Sequence, residues 1–357
     1  MVARPKLKDI AGVLGISVAT VSNAMSGKGR VSGALSSRIK KKAEEMGYIP
    51  SGAARALRTG QNAVFGLVLA DIANPLFPQI AQAIENAAAQ SGYGILIGDS
   101  HGDIAAQTSA INRLIERGAD GLIIVPRRGT QIGVLARPVV IIDSPTTPGN
   151  TVAADHLTGG RQVGEHLAKL GHKNIVIIGA NKDSNVQNDR AEGIRSGLDD
   201  TCIIKTVWVE DIERVNGAGC PLGVVKFVEQ GATAFAAVSD LHALRALTEL
   251  QRARMRVPDD VSVTGFDDLS WSGQIAPSLT TVRMDMPQIA QIAVSSLIQQ
   301  IQAPHILEGS GVNMQPESCS VPMQLVPRQS SAAARKEKIL PVAHKGNIHH
   351  LFPQPKD

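Results

Sequence analysis

Aromatic side chains are scarce in this chain: two Trp, two Tyr and six Phe among 357 residues. Its cores must therefore be packed with Ala, Val, Ile and Leu, and a hydrophobic share of 43% supplies them. Cysteine is scarcer still. Cys202, Cys220 and Cys319 are odd in number and widely spaced, with neither a CxxC nor a zinc-ligand spacing, so no disulfide framework or metal site is expected. No apolar run is long enough to span a bilayer and no secretory hydrophobic segment follows Met1, which implies no membrane partner and a cytoplasmic protein. The nine histidines form no HExxH, and His344, His349 and His350 fall in a C-terminal stretch where they read as solvated. There is no P-loop and no GxGxxG, and no spacing pairs carboxylates as acid and base, so neither a catalytic residue nor a cofactor is expected.

What the chain has is an uneven charge. Residues 1 to 60 hold eleven Lys and Arg against three Asp and Glu, a net +8, which leaves −4 for the remainder of a chain whose total is +4. A basic head on a mildly acidic body suits a small domain that meets a polyanion while the rest does something else. Within the head, Leu7, Ile10, Ala11 and Leu14 recur at helical spacing, Gly15 offers a stop, and Ser17 can cap a second helix. That second helix has two faces. Val21, Ala24 and Met25 point one way; Val18, Ala19, Ser22 and Asn23 occupy the other, with Thr20 at the border. Two short helices around a glycine turn form a helix-turn-helix, and small hydrogen-bonding side chains on the outer face are what a major groove accepts. Ser32 opens a third helix through Leu35, Ile39, Ala43 and Met46, closed by Gly47. Residues 51 to 60 are helix-compatible but too short and polar to hold a helix alone, so they read as a linker or as a helix formed only on docking.

From residue 62 strand-like and helix-like segments alternate: 64–70, 94–98, 121–125, 139–143, 174–180, 206–210, 235–240 and 261–268 as strands, with helices between them over 78–90, to about 117, over 161–170, near 191 and to about 252. This order implies parallel sheets covered by helices, with ligands gathering beyond the strand C-termini. Asp71, Asp99, Asp143, Asp240 and Asp267 stand there, the first two read as turn or helix caps.

The stretches LKDIAGVLGISVATVSNAMSG, RVS, GYIP and AARAL occur in the order and spacing of the headpiece of LacI/GalR-type bacterial transcription regulators, which this chain resembles. DIANPLF, GADGLIIVP, LGHKNIVIIG, RAEGI, VPDDVSVTGFDD and PSLTTVRMD extend the likeness to about residue 330. The resemblance implies an all-α helix-turn-helix headpiece over 1–50, a hinge helix over 51–61 and a two-lobed α/β core, like periplasmic sugar-binding proteins, over 62–329. Residues 330–357 are expected to be a disordered basic tail. It implies base readout by Val18, Ala19 and Asn23, phosphate contacts by Thr20 and Ser22, further DNA contacts by Arg30 and Ala54, and a minor-groove wedge at Leu57. Arg190 and Asp267 match its effector-binding arginine and aspartate, while Phe77, Asp143, Asp155, Asp240 and Trp271 fall at or near pocket-lining positions. An Arg190–Asp267 salt bridge across the lobes is the competing reading of that pair.

The expected partners are a pseudo-palindromic double-stranded operator, a sugar or sugar derivative, and a second copy of the chain, since no leucine heptads for a tetramer follow Arg328. Departures are Ser51 and Asn23 in the head, Leu76 and Ile212 where relatives carry aromatics, and a shortened segment between Pro126 and Pro138. Leu76 argues against a purine ligand. A sugar-binding protein for transport would share the core but carry a signal peptide and no basic head.

Overall fold

The computed structural model describes residues 5–26, 31–48, 60–126, 132–133, 135–303 and 318–335. Arg30, Ala54 and Leu57, most of the hinge, residues 127–131 and 134, and the chain after Arg335 lie outside these. Two compact units are formed, Met1–Ala63 and Val64–Asp357.

In the first unit α1 spans Leu7–Leu14, α2 Val18–Ser26 and α3 Gly33–Glu45. The Lys6 amide donates to Asp9 at 2.7 Å to start α1, and Gly15 ends it in the left-handed region at φ 64°. Ser17 accepts the Thr20 amide at 3.0 Å at the head of α2. The axes of α1 and α2 turn by 111° at this break, within the roughly 90–120° of helix-turn-helix pairs. Ile10, Ala11, Val21, Ala24, Ile39 and Ala43 close one small core among the three helices.

The second unit is built on two four-stranded parallel sheets. The first sheet holds β1 (Val64–Leu69), β2 (Gly94–Asp99), β3 (Gly121–Ile124) and β4 (Val139–Ile141) in the order β2-β1-β3-β4, with α4 (Leu76–Gln90) and α5 (Ile104–Glu116) as crossovers. Through β5 (Val152–Ala154) the chain passes to α6 (His156–Lys169) and the second lobe. There β6 (Asn174–Gly179), α7 (Asn185–Ser196), β7 (Ile203–Trp208), α8 (Val209–Asn216), α9 (Val224–Glu229), β8 (Ala234–Ala237), α10 (Asp240–Arg252) and β9 (Ser262–Thr264) give the order β7-β6-β8-β9. β10 (Thr281–Met284) leads back to α11 (Met286–Gln302), which packs on α4 and β3 of the first lobe. β11 (Cys319–Val321) then pairs with β5, and β12 (Met323–Val326) with β10.

Several boundaries differ from the sequence expectation. α6 starts at His156, not Arg161, because Asp155 caps it by accepting the Thr158 amide at 3.0 Å. Val209 and Glu210, read as strand, open α8, and Asp240 opens α10. The tail expected from residue 330 is anchored as far as Arg335. Ser330 hydroxyl donates to the Val263 carbonyl at 2.6 Å, the Ala334 amide to Leu170 at 2.7 Å, and Arg335 pairs with Asp260 at 2.7 Å. Alanines and serines there carry little hydrophobic signal, but their backbone groups extend the hydrogen bonding of the second lobe.

Helices α6 and α7 approach backbone to backbone. Gly160 and Gly164 of α6 face Gly193 and Gly197 at the end of α7, and a Cβ on any of the four would lie 2.1–2.3 Å from a main-chain oxygen of the opposite helix. This contact fixes the height of α7, which carries Arg190.

Candidate functional site

A cavity of about 490 Å³ opens beyond the C-terminal ends of both sheets, within the usual range for small-molecule sites. Residues following β1 (Asp71), β3 (Pro126), β4 (Asp143), β6 (Asn181), β7 (Glu210), β8 (Ser239) and β9 (Asp267) all reach it. The first-lobe wall is largely apolar, with Leu76, Phe77 and Ile80 from α4 and Met286 and Ile289 from α11. The second-lobe wall is polar.

Arg190 is the centre of that polar wall. Only 4% exposed, its guanidinium lies 4.2 Å above the Phe266 ring. Nη1 donates to the Val238 carbonyl at 2.8 Å and to Asp267 Oδ1 at 2.9 Å. Nε donates to His156 Nδ1 at 3.3 Å. The salt bridge foreseen between Arg190 and Asp267 is therefore made, but both partners come from the second lobe, so it does not join the lobes. Burial pushes the Asp267 carboxyl up to about 7, opposed by the adjoining guanidinium. Burial, and then the charge of Arg190, hold His156 well below its ordinary value. A neutral His156 that accepts at Nδ1 carries its proton on Nε2.

Asp143 and Phe77 also line the cavity. The Asp143 carboxylate accepts from the Thr147 hydroxyl at 2.6 Å, and burial raises it. Ser144, next in sequence, donates across to Asp189 of α7 at 2.5 Å, and Asn185 donates to Thr147 at 3.3 Å; these two bonds tie the lobes together at the cavity's edge.

Three expected pocket residues are placed elsewhere. Asp155 is occupied as the cap of α6. Asp240 is fully buried beneath the cavity wall, accepting from Ser272 Oγ and Thr281 Oγ1 at 2.5 Å each and from the Leu269 amide at 2.9 Å. Trp271 packs on the core of the second lobe. The reading of Asp71 and Asp99 as turn caps fits their bonds to the Ala73 and His101 amides. Residues that sequence reasoning missed are His156, Asn181, Asp183, Asn185 and His242, all in the wall. His156 follows the three-residue strand β5, too short to give a periodic signal.

Although no nucleophile elbow is expected from the sequence, Gly98 to Gly102 spells GDSHG, which fits its G-x-S-x-G pattern. Ser100 is fully buried, with its hydroxyl donating to the carbonyls of Leu69 at 3.1 Å and Ala70 at 3.0 Å. His101 turns to Asp99 instead, at 3.1 Å. A hydroxyl committed to two main-chain acceptors in closed packing is no nucleophile.

In the first unit, Val18, Ala19 and Asn23 are exposed on α2, Thr20 and Ser22 are half-buried, and Val21 and Ala24 form the inner face. Among the described residues no group of His, Cys, Asp or Glu could hold a metal ion, and no single helix is long and apolar enough to cross a membrane.

Residues 6–51 match the lacI family of bacterial regulatory proteins, and residues 165–331 match the periplasmic binding protein-like domain. The chain is 28% identical over 308 residues to the HTH-type transcriptional repressor PurR of Aliivibrio fischeri, covering 83% of this chain and 91% of that protein. It is 26% identical to the ribose operon repressor of Haemophilus influenzae, covering 84% and 92%. Its fold is similar to that of the Lac repressor dimer bound to operator and the anti-inducer ONPF, with a TM-score of 0.71 at 24% identity, over 93% of this chain and all of that one. A basic head with an exposed second helix, followed by a two-sheet core with a strand-end cavity, agrees with these matches: the chain carries a lacI-family regulatory-protein domain at its head and a periplasmic binding protein-like domain in its core.

Proposed function

We propose that this protein is a dimeric, cytoplasmic transcriptional repressor whose affinity for a pseudo-palindromic operator is set by a small polyhydroxyl ligand, a sugar or sugar derivative, held in the cavity. The observation that carries the reading is the pairing, in one chain, of α2 with its small polar side chains outward and a cavity holding a buried guanidinium–carboxylate pair.

Val18, Ala19 and Asn23 touch base edges, Thr20, Ser22 and Arg30 hold phosphates, and the hinge around Ala54 and Leu57 enters the minor groove. In the cavity Arg190 and Asp267 present directed donors and acceptors to ligand hydroxyls, with Asp143 on the facing lobe and Phe77 supplying apolar contact. Ligand contact with both lobes alters their closure and hence the spacing of two hinges in a dimer. A coupling of about 1–3 kcal/mol changes operator affinity about 5- to 150-fold.

The test is a gel-shift titration against fragments tiled across the gene's own upstream region. One fragment should bind with a Kd of about 10⁻⁸–10⁻¹¹ M and resist excess nonspecific DNA. Equal affinity for every fragment would refute the reading.

A further inference from the structure

The charge of the cavity wall narrows the ligand class, an inference that rests on the ligand-controlled reading above. Among the described residues, five carboxylates line the space, from Asp71, Asp143, Asp183, Glu210 and Asp267, against one guanidinium and no lysine. That guanidinium is paired with Asp267: Nη1 and Nε are taken by Asp267, Val238 and His156, while Nη2, with only Met284 Sδ at 4.0 Å, is left to meet a ligand oxygen.

The other usual anchor for an anion is a helix N-terminus, and α4, α6, α7, α8, α10 and α11 all begin at this cavity. In all but α8 a side chain accepts a first-turn amide, that of Asp155 at α6 and of Asp285 at α11, and α8 carries Glu210 and Asp211 in its first turn. Asn74 accepts the Leu76 amide of α4 at 3.1 Å, Ser184 the Gln187 amide of α7 at 3.5 Å, and Ser239 the His242 amide of α10 at 3.3 Å. Asp183 stands beside the second of these caps. The opposite wall is the apolar face of α4 and α11, where an ion would be desolvated without a partner.

A second buried donor stands beside Arg190. His156 is 5% exposed and lines the cavity; with Nδ1 taken by Arg190, its Nε2–H has no acceptor shown among the described residues. A ligand oxygen would complete it. The described wall thus supplies many acceptors, in the carboxylates, and few buried donors, Arg190 Nη2 and His156 Nε2, the complement of a molecule rich in hydroxyl groups.

We infer that the cavity selects an uncharged, hydroxyl-rich ligand, a free sugar or polyol, and excludes its phosphorylated and carboxylated relatives. Hydroxyls donate to the carboxylates and ligand oxygens accept from Arg190 and His156, whereas a phosphoryl group meets an excess of acidic side chains and, among the described residues, a single guanidinium already paired with Asp267.

The test does not require the ligand to be known. In a Cys202→Ser, Cys220→Ser, Cys319→Ser background, a single cysteine is placed in the wall as Asn185→Cys or, independently, Leu241→Cys. Its rates of modification by a trimethylammonium-bearing and by a sulfonate-bearing methanethiosulfonate are each divided by the rate with a free small thiol. The cationic reagent should be favoured about tenfold or more at both positions, as a wall of one sign focuses counter-ions. Adding Asp143→Asn and Asp183→Asn should bring the ratio towards one.

Equal or faster reaction of the sulfonate at both positions would overturn the inference. So would a melting temperature raised by ribose 5-phosphate or glucose 6-phosphate but not by the parent sugar. Operator binding by the unmodified protein is measured alongside. If the sulfonate wins while operator binding is retained, the ligand class alone falls; if no operator is bound, the regulatory reading falls and the reagent ratio still decides the inference about the cavity.

Discussion

Substituting Gly160 by Ala sets two known effects against each other. In an ordinary helix interior the change gains about 1 kcal/mol, because alanine loses less backbone freedom. Here the new Cβ would sit 2.3 Å from the Arg190 carbonyl oxygen and 2.9 Å from the Ile194 nitrogen. Neither atom can rotate away, so α6 and α7 must separate, and overpacking of this kind costs about 1–3 kcal/mol or more when backbone moves. The steric effect should win, with a net loss of about 2 kcal/mol. Urea denaturation followed by tryptophan fluorescence reads the right part of the molecule, because both tryptophans, Trp208 and Trp271, lie in the second lobe. Since Arg190 rides on α7, ligand response should weaken as well. The control is Gly12→Ala in α1, where nothing lies within 4 Å of the added Cβ, and there the headpiece should gain up to about 1 kcal/mol. A Gly160→Ala protein as stable as the parent would show that the two helices are not locked by their glycines.

Further outcomes are expected. Arg190→Lys keeps the charge but loses the planar fork, so ligand affinity should fall at least about tenfold with operator binding retained; an unchanged calorimetric titration would remove Arg190 from the site. Leu57→Ala should weaken operator binding while ligand binding stays the same, and equal DNA affinity would dismiss the wedge. Operator affinity should fall steeply with salt, with a log–log slope of about −5 if six phosphates are neutralised, and a flat dependence would contradict the electrostatic role of the basic head. His172 bonds Thr233, Ser262 and the Ala332 carbonyl at 3.0 Å each, and burial holds its pKa below the ordinary 6.5. Its neutral form is thus favoured by folding, and the stability it contributes is present above pH 6.5 and lost as pH falls through the folded value. The advantage of the parent over His172→Gln should shrink between about pH 7.5 and 5.5; a constant difference in urea midpoints would show that His172 does not titrate differently on folding.

Much of the fold could be read from the sequence because its signals are local. Val64–Leu69 and Asn174–Gly179 are buried on both faces, so they read as continuous apolar runs. The three-residue strands β5 and β11 gave no such run, and their places are set by pairing with each other across the chain. The site was legible as a location more than as a set of side chains. Asp143 and Asp240 both follow strands, yet Asp143 faces the cavity while Ser272, Thr281 and Leu269 draw Asp240 beneath its wall. That difference depends on hydroxyls 32 and 41 residues away in sequence. The facing glycines of α6 and α7 were likewise visible as letters, but only the packed helices give their spacing a meaning.

The account stands on one coupling between cavity and headpiece. Its most direct measurement is the ligand's dissociation constant by calorimetry, with and without saturating operator DNA, set beside the operator's constant with and without ligand. The two ratios should be equal, at a factor of about 5–150. A ligand that binds the cavity with the same affinity whether or not operator is present would contradict the claim that the two sites form one switch.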